Sequence, residues 1–182
     1  MTLSVGLLLA GGGTPELGER LEPFAALLAE HLDLPLRRIT PPEAGQPARC
    51  LAALAREPRW LALLPLDPGQ PLEAGGHWAE ALGAWRQPTL LVFGADQVSG
   101  GWPAAANALM GQWRVPLLGL LQAGGPWDAA ARRRDGLPWL GRVDLEKGWE
   151  PAALGQEGLG SLAWLLQQRR IRLDQGEALP IP

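Results

Sequence analysis

Two groups of residues have the types and spacing that chemistry needs. The first is a glycine-bracketed turn, Gly13-Thr14-Pro15-Glu16-Leu17-Gly18, followed by Glu19 and Arg20. Its GxxxxG spacing matches the start of the pattern GxxxxGK[ST]. That pattern wraps phosphate oxygens in backbone N–H groups, adds a lysine charge and supplies a hydroxyl for magnesium. Here Glu19 stands in the lysine position and Arg20 in the hydroxyl position. An acid facing phosphates repels them. Three readings stay open: a turn that lets the first helix pack on a sheet, a degenerate anion cradle of Gly13, Thr14, Gly18 and Arg20, or a working ATP loop. The second group is Asp67 and Asp96, each just past an apolar run. Carboxylates there can hold the magnesium that accompanies ATP. Asp67-Pro68-Gly69 and Ala95-Asp96-Gln97 serve equally well as turn chemistry.

Other reactive types are sparse. Two His and one Cys, with no metal-ligand spacing, argue against zinc. His31 falls on an apolar helical stripe and reads as a core histidine; His77 reads as a helix cap or surface group. Ser99, in Val98-Ser99-Gly100-Gly101, lacks the GxSxG setting of a nucleophile elbow. Trp102 and Trp127 are placed either to stack on a ligand or to fill core and interface. Arg132, Arg133 and Arg134 make a basic cluster, either an anion clamp or a solvated helix face.

The elements that must position these residues are read from periodicity. Pro88–Gly125 reads as strand, crossover helix, strand: Thr89–Phe93 and Val115–Gln122 are unbroken apolar runs, and Ala104–Met110 is rich in helix formers. Further strands are expected at Ser4–Ala10, Leu34–Ile39, Trp60–Leu66 and Leu137–Val143. Leu21, Phe24, Leu27, Leu28, His31 and Leu32 mark a helix. Pro23 either opens that helix near Glu22 or distorts an earlier turn. Shorter helices are expected at Ala48–Arg56, His77–Trp85 and Asp128–Arg134. A closing helix carries Leu159, Leu162, Leu165 and Leu166, with Arg169 and Arg170 at its C-terminal dipole. Pro41, Pro42, Gly45 and Pro47 read as a loop. Alternating strands and helices give the α/β class, a three-layer sandwich with a mostly parallel, P-loop/Rossmann-like sheet. The expected organisation is one domain over residues 1–174 and a tail over 175–182. Ligands in such folds sit beyond the carboxyl ends of the strands: here Gly11–Gly18, Asp67–Leu72, Gly94–Trp102 and Gln122–Asp128.

Composition narrows the function classes. The net charge of −3 over 182 residues argues against a nucleic-acid partner, which needs a basic face. No apolar run approaches the roughly 20 residues of a spanning helix, so no membrane partner is expected. The opening MTLSVGLLLAGGG lacks a basic leader, and a cytoplasmic location is expected. A single Cys50 excludes an internal disulfide. The 15 arginines against one lysine, Lys147, mean that a lysine-dependent phosphate site has few candidates. A small-molecule or nucleotide ligand and a homodimer remain open.

Over Trp60–Glu146 the chain resembles the dethiobiotin synthase branch of the P-loop ATPases, relatives of the cobyrinate amidases and partitioning ATPases. The matching stretches are Ala79-Glu-Ala-Leu-Gly83, Pro88-Thr-Leu-Leu-Val92, Val115-Pro-Leu-Leu-Gly119 with Gln122, and Gly136-Leu-Pro-Trp-Leu-Gly141. They cover about half the chain and are fold motifs. The resemblance implies that Gln122, where that family has a base-reading Asn, and the Gly141 strand end border a nucleotide-shaped cleft. The family's lysines and magnesium hydroxyl have no match here. The expectation is therefore a nucleotide- or anion-binding or regulatory module without efficient ATP hydrolysis. The alternatives are an active ATP-dependent ligase and two functions implied by other resemblances. Leu9-Ala-Gly-Gly-Gly-Thr14 resembles the loop of the nucleotidyltransferases for sugar nucleotides and molybdenum cofactor, and Arg20–Ala29 resembles the first helix of phosphonate-type solute-binding proteins.

Overall fold

A computed structural model describes residues 5–145, 158–177 and 179. Six strands make one all-parallel sheet in the order β2-β3-β1-β4-β5-β6. They are β1 (Val5–Gly11), β2 (Leu36–Arg38), β3 (Arg59–Leu64), β4 (Thr89–Gly94), β5 (Leu117–Ala123) and β6 (Trp139–Val143). Interior strands of such a sheet bury both faces, which is why β3 and β4 read as unbroken apolar runs.

Alternate residues feed two cores. Leu7, Leu9, Leu61, Leu63, Leu90 and Val92 face α2 (Glu22–His31) and α8 (Gly158–Asp174). Leu8, Ala10, Ala62, Leu64, Leu91 and Phe93 face the other helical layer. That layer holds α3 (Pro41–Ala44), α4 (Pro47–Leu54), α5 (Trp78–Ala84) and α6 (Trp102–Gln112). The short α7 (Ala129–Asp135) joins β5 to β6. This is the three-layer α/β class expected from the alternation of elements. No helix among the described residues is long and apolar enough to cross a membrane.

Several local expectations change. Leu21 separates two helices, α1 (Pro15–Arg20) and α2, so half of the expected first loop is helical. Pro23 sits in the first turn of α2, where a missing N–H costs nothing. The expected loop at Pro41–Pro47 instead contains α3, because Thr40 and Glu43 form a capping box: Glu43 accepts from the Thr40 N–H and hydroxyl. His31 is exposed rather than in the core; Phe24, Ala25, Leu28 and Ala29 fill the buried stripe. Arg169 does not close a helix. Because α8 runs on to Asp174, Arg169 is buried mid-helix, where burial pulls its pKa down, and Arg172 occupies the last turn. Ser4, the expected first strand residue, Lys147 and most of the expected 175–182 tail beyond Glu177 lie outside the described residues.

Candidate functional site

The carboxyl ends of β1, β3, β4 and β5 form one rim, where the chain leaves the sheet at Gly11, Leu64, Gly94 and Ala123. The connection after β1 runs to the α2/α8 face, and the one after β4 runs to the opposite face. Adjacent strands whose connections diverge leave a crevice between them.

The turn after β1 is short. Only Gly12, Gly13 and Thr14 separate β1 from Pro15, the first residue of α1. Gly13 takes φ +86°, a region that L side chains rarely adopt. Its N–H donates to Asp67 Oδ2 at 2.5 Å. The other carboxylate oxygen, Oδ1, accepts from the Gly69 N–H at 2.7 Å. Asp67 thus ties the turn after β1 to the turn after β3 across 54 residues, and the strand order makes this possible by pairing β3 with β1. Gln97, buried at 6% exposure, closes the third side: a side chain on Gly13 would collide with its amide, whose Oε1 accepts from the Gly94 N–H at 2.8 Å. Gly18 is not part of this turn. It lies inside α1, where any Cβ would strike the Pro65 carbonyl.

Arg20 and Asp96 lie elsewhere. They line a hollow of about 330 Å3 with Leu17, Gly94, Ala95, Gly124, Gly125 and Asp144. Asp67 and Gly13 border a separate hollow of about 410 Å3 with Trp102 and Leu109. The two aspartates considered for a metal therefore face different spaces. Among the described residues no group of three or more His, Cys, Asp or Glu is placed to hold a metal ion.

Gln122 is 1% exposed at the end of β5. Its Nε2 donates to the carbonyls of Gly124 at 2.8 Å and Pro126 at 2.9 Å. Gly124 and Gly125 both adopt positive φ, and Gln122 holds their carbonyl-lined turn in shape. Gly141 lies within β6, paired with Leu121.

Arg132 is drawn inward from the arginine cluster. Its guanidinium lies 5.2 Å from the Trp139 ring centroid and donates to the Val98 carbonyl, while Arg133 and Arg134 stay exposed. Trp127 packs edge-on against Trp139 at 6.2 Å, whereas Trp102 stands 57% exposed at the start of α6. His77 precedes α5 and meets Trp113 edge-on at 5.6 Å. The Cys50 thiol is buried, and burial pushes its pKa up to about 11, so it is a poor nucleophile.

Sequence reasoning picked out Gly13 and Asp67 separately but did not join them. Gln97, buried between the turns after β1 and β4, was missed. Its only sequence signal is a polar residue in a rim segment, which many surface residues share. Comparison of the chain with protein-family models, with curated proteins and with solved structures finds no match.

Proposed function

We propose that this chain is a binding or regulatory module of P-loop descent, related to the dethiobiotin synthase branch, that does not turn over nucleotide. The observation that carries the reading is the Gly13 N–H bonded to the Asp67 carboxylate. In a phosphate loop that N–H faces the ligand; here an internal anion has taken its place. The strand order supports the lineage, since it sets the acid after β3 beside the loop after β1. Pro15 removes another N–H from the first turn of α1, and Glu19 stands where the phosphate lysine would be.

ATP with magnesium does not fit these residues. The Gly13 N–H that would meet a phosphate is taken by Asp67, and Asp67 and Asp96 open onto different hollows, so the two acids do not share one magnesium. The hollow beside α1 is the better seat for a ligand. Arg20, Asp96 and Asp144 all line it, with backbone from the turns after β4 and β5. One positive and two negative groups suit a small polar molecule carrying both donors and acceptors better than a triphosphate.

Titration calorimetry with ATP–magnesium, paired with a phosphate-release assay, tests this. The expected result is no turnover and binding no tighter than roughly millimolar. Micromolar binding accompanied by phosphate release would refute the proposal.

A further inference from the structure

The second rim hollow has a different chemistry. Its volume of about 410 Å3 falls within the range of small-molecule sites. One wall is α6, which turns Trp102, Ala105, Ala106 and Leu109 toward it. That spacing is i, i+3, i+4, i+7, one helical face. Helix α6 fully buries Pro103 and Met110, while Ala106 and Leu109 are half-buried, packed on the core and also bordering this space. Gly13, Gly69, Gln70 and Pro71 complete the lining, in which Asp67 is the one charged side chain. The carboxylate comes close to the apolar wall. A methyl placed on Gly69 would lie 2.8 Å from Leu109 Cδ2 and 3.3 Å from Asp67 Oδ1.

We infer that this hollow binds a small organic cation, an ammonium group carried on an aromatic or otherwise flat apolar body. The argument is one of complementarity. Asp67 keeps its turns together through one backbone N–H on each oxygen, and a carboxylate has about four acceptor positions. The remaining lone pairs suit an N⁺–H donor. The lining holds no Arg, Lys or His to offset the charge, so an anion is repelled and a neutral ligand brings the carboxylate no opposite charge. Trp102, 57% exposed, offers an indole face to a cation or a flat ring. The helix side, Ala105, Ala106 and Leu109, takes the apolar body. This site is separate from the hollow beside α1.

The probe is 2-phenylethylammonium, titrated into the whole chain by calorimetry and tryptophan fluorescence. 2-Phenylethanol and phenylacetate serve as the neutral and anionic matches. The expected order is ammonium tightest, the alcohol about tenfold weaker and the acid undetectable. Trp102→Ala, at an exposed position that leaves folding intact, should weaken the ammonium about fivefold. Asp67→Asn should remove the preference for ammonium over alcohol. Equal binding of ammonium and alcohol, no effect of Trp102→Ala, or no ammonium binding overturns the inference. So does a self-association that Trp102→Ala abolishes, since the hollow would then be an interface between copies. None of these outcomes bears on ATP turnover, so the inference and the proposed function can fail separately.

Discussion

The two glycine turns at the rim solve the same problem with opposite chemistry. The turn after β1 is closed by Asp67, a charged group brought from 54 residues away. The turn after β5 is closed by Gln122, a neutral group two and four residues from its acceptors. Asp67 accepts from N–H groups, so it occupies a place an anionic ligand would compete for. Gln122 donates to carbonyls, so it competes with no anion. The first closure is therefore a candidate for functional history, and the second is local architecture. Hydrogen bonds to a charged group also stabilise more than neutral ones, about 1.5–3 against about 1 kcal/mol each.

The sharpest way to break this contrast is Asp67→Ala. It leaves the Gly13 and Gly69 N–H groups without their acceptor and should destabilise by about 3 kcal/mol in urea denaturation. If the carboxylate stands in for an anion, inorganic phosphate should raise the Tm of that variant and leave the parent unchanged. A phosphate effect of equal size in both would remove the contrast. Gln122→Ala should cost about 2 kcal/mol, two neutral bonds plus a small cavity, with no gain in phosphate response. Gly13→Ala tests the turn's own geometry. It should cost about 1–2 kcal/mol, from the left-handed backbone and the crowding by Gln97. Arg132→Ala, which removes the cation over Trp139 but touches neither turn, should cost about 1 kcal/mol by the same measurement.

A pH effect must be separated from all of these. The Cys50 thiol has its pKa raised from 9.0 to about 11, chiefly by burial, with the Glu43 charge adding to it. The native state keeps its proton where the unfolded chain has lost it. The stabilisation is thus whole below the unfolded pKa and falls away as pH rises through the folded one. Denaturation midpoints followed from pH 8 to about 11 should decline, and less steeply in Cys50→Ala, while alkylation of the native thiol stays slow at neutral pH.

Much of the architecture was legible because it rests on local patterns. The apolar run at Thr89–Phe93 reads as a strand buried on both faces and that at Trp60–Leu66 as a strand, and they are β4 and β3, the latter beginning one residue earlier and ending at Leu64. The helix bearing Phe24 and Leu28 showed its stripe plainly. Reading failed where a single side chain overrode composition. Glu43 capping Thr40 made a helix of a proline-rich stretch, and the length of α8 put Arg169 in the interior rather than at a helix end. In the candidate site the residue types were visible but their partners were not, because partnership depends on strand order.

From its own letters the chain determines that it alternates strands with helices, that its rim is rich in glycine, and that Glu19 and Arg20, not a lysine and a hydroxyl residue, follow Gly18. These follow from periodicity and residue type, which act within a few residues. Only the tertiary structure decides that β3 lies against β1, so that Asp67 reaches Gly13, and that Arg20 and Asp67 open onto different hollows. Such choices depend on how whole layers pack. A contact spanning 54 residues leaves no mark on the sequence near either end.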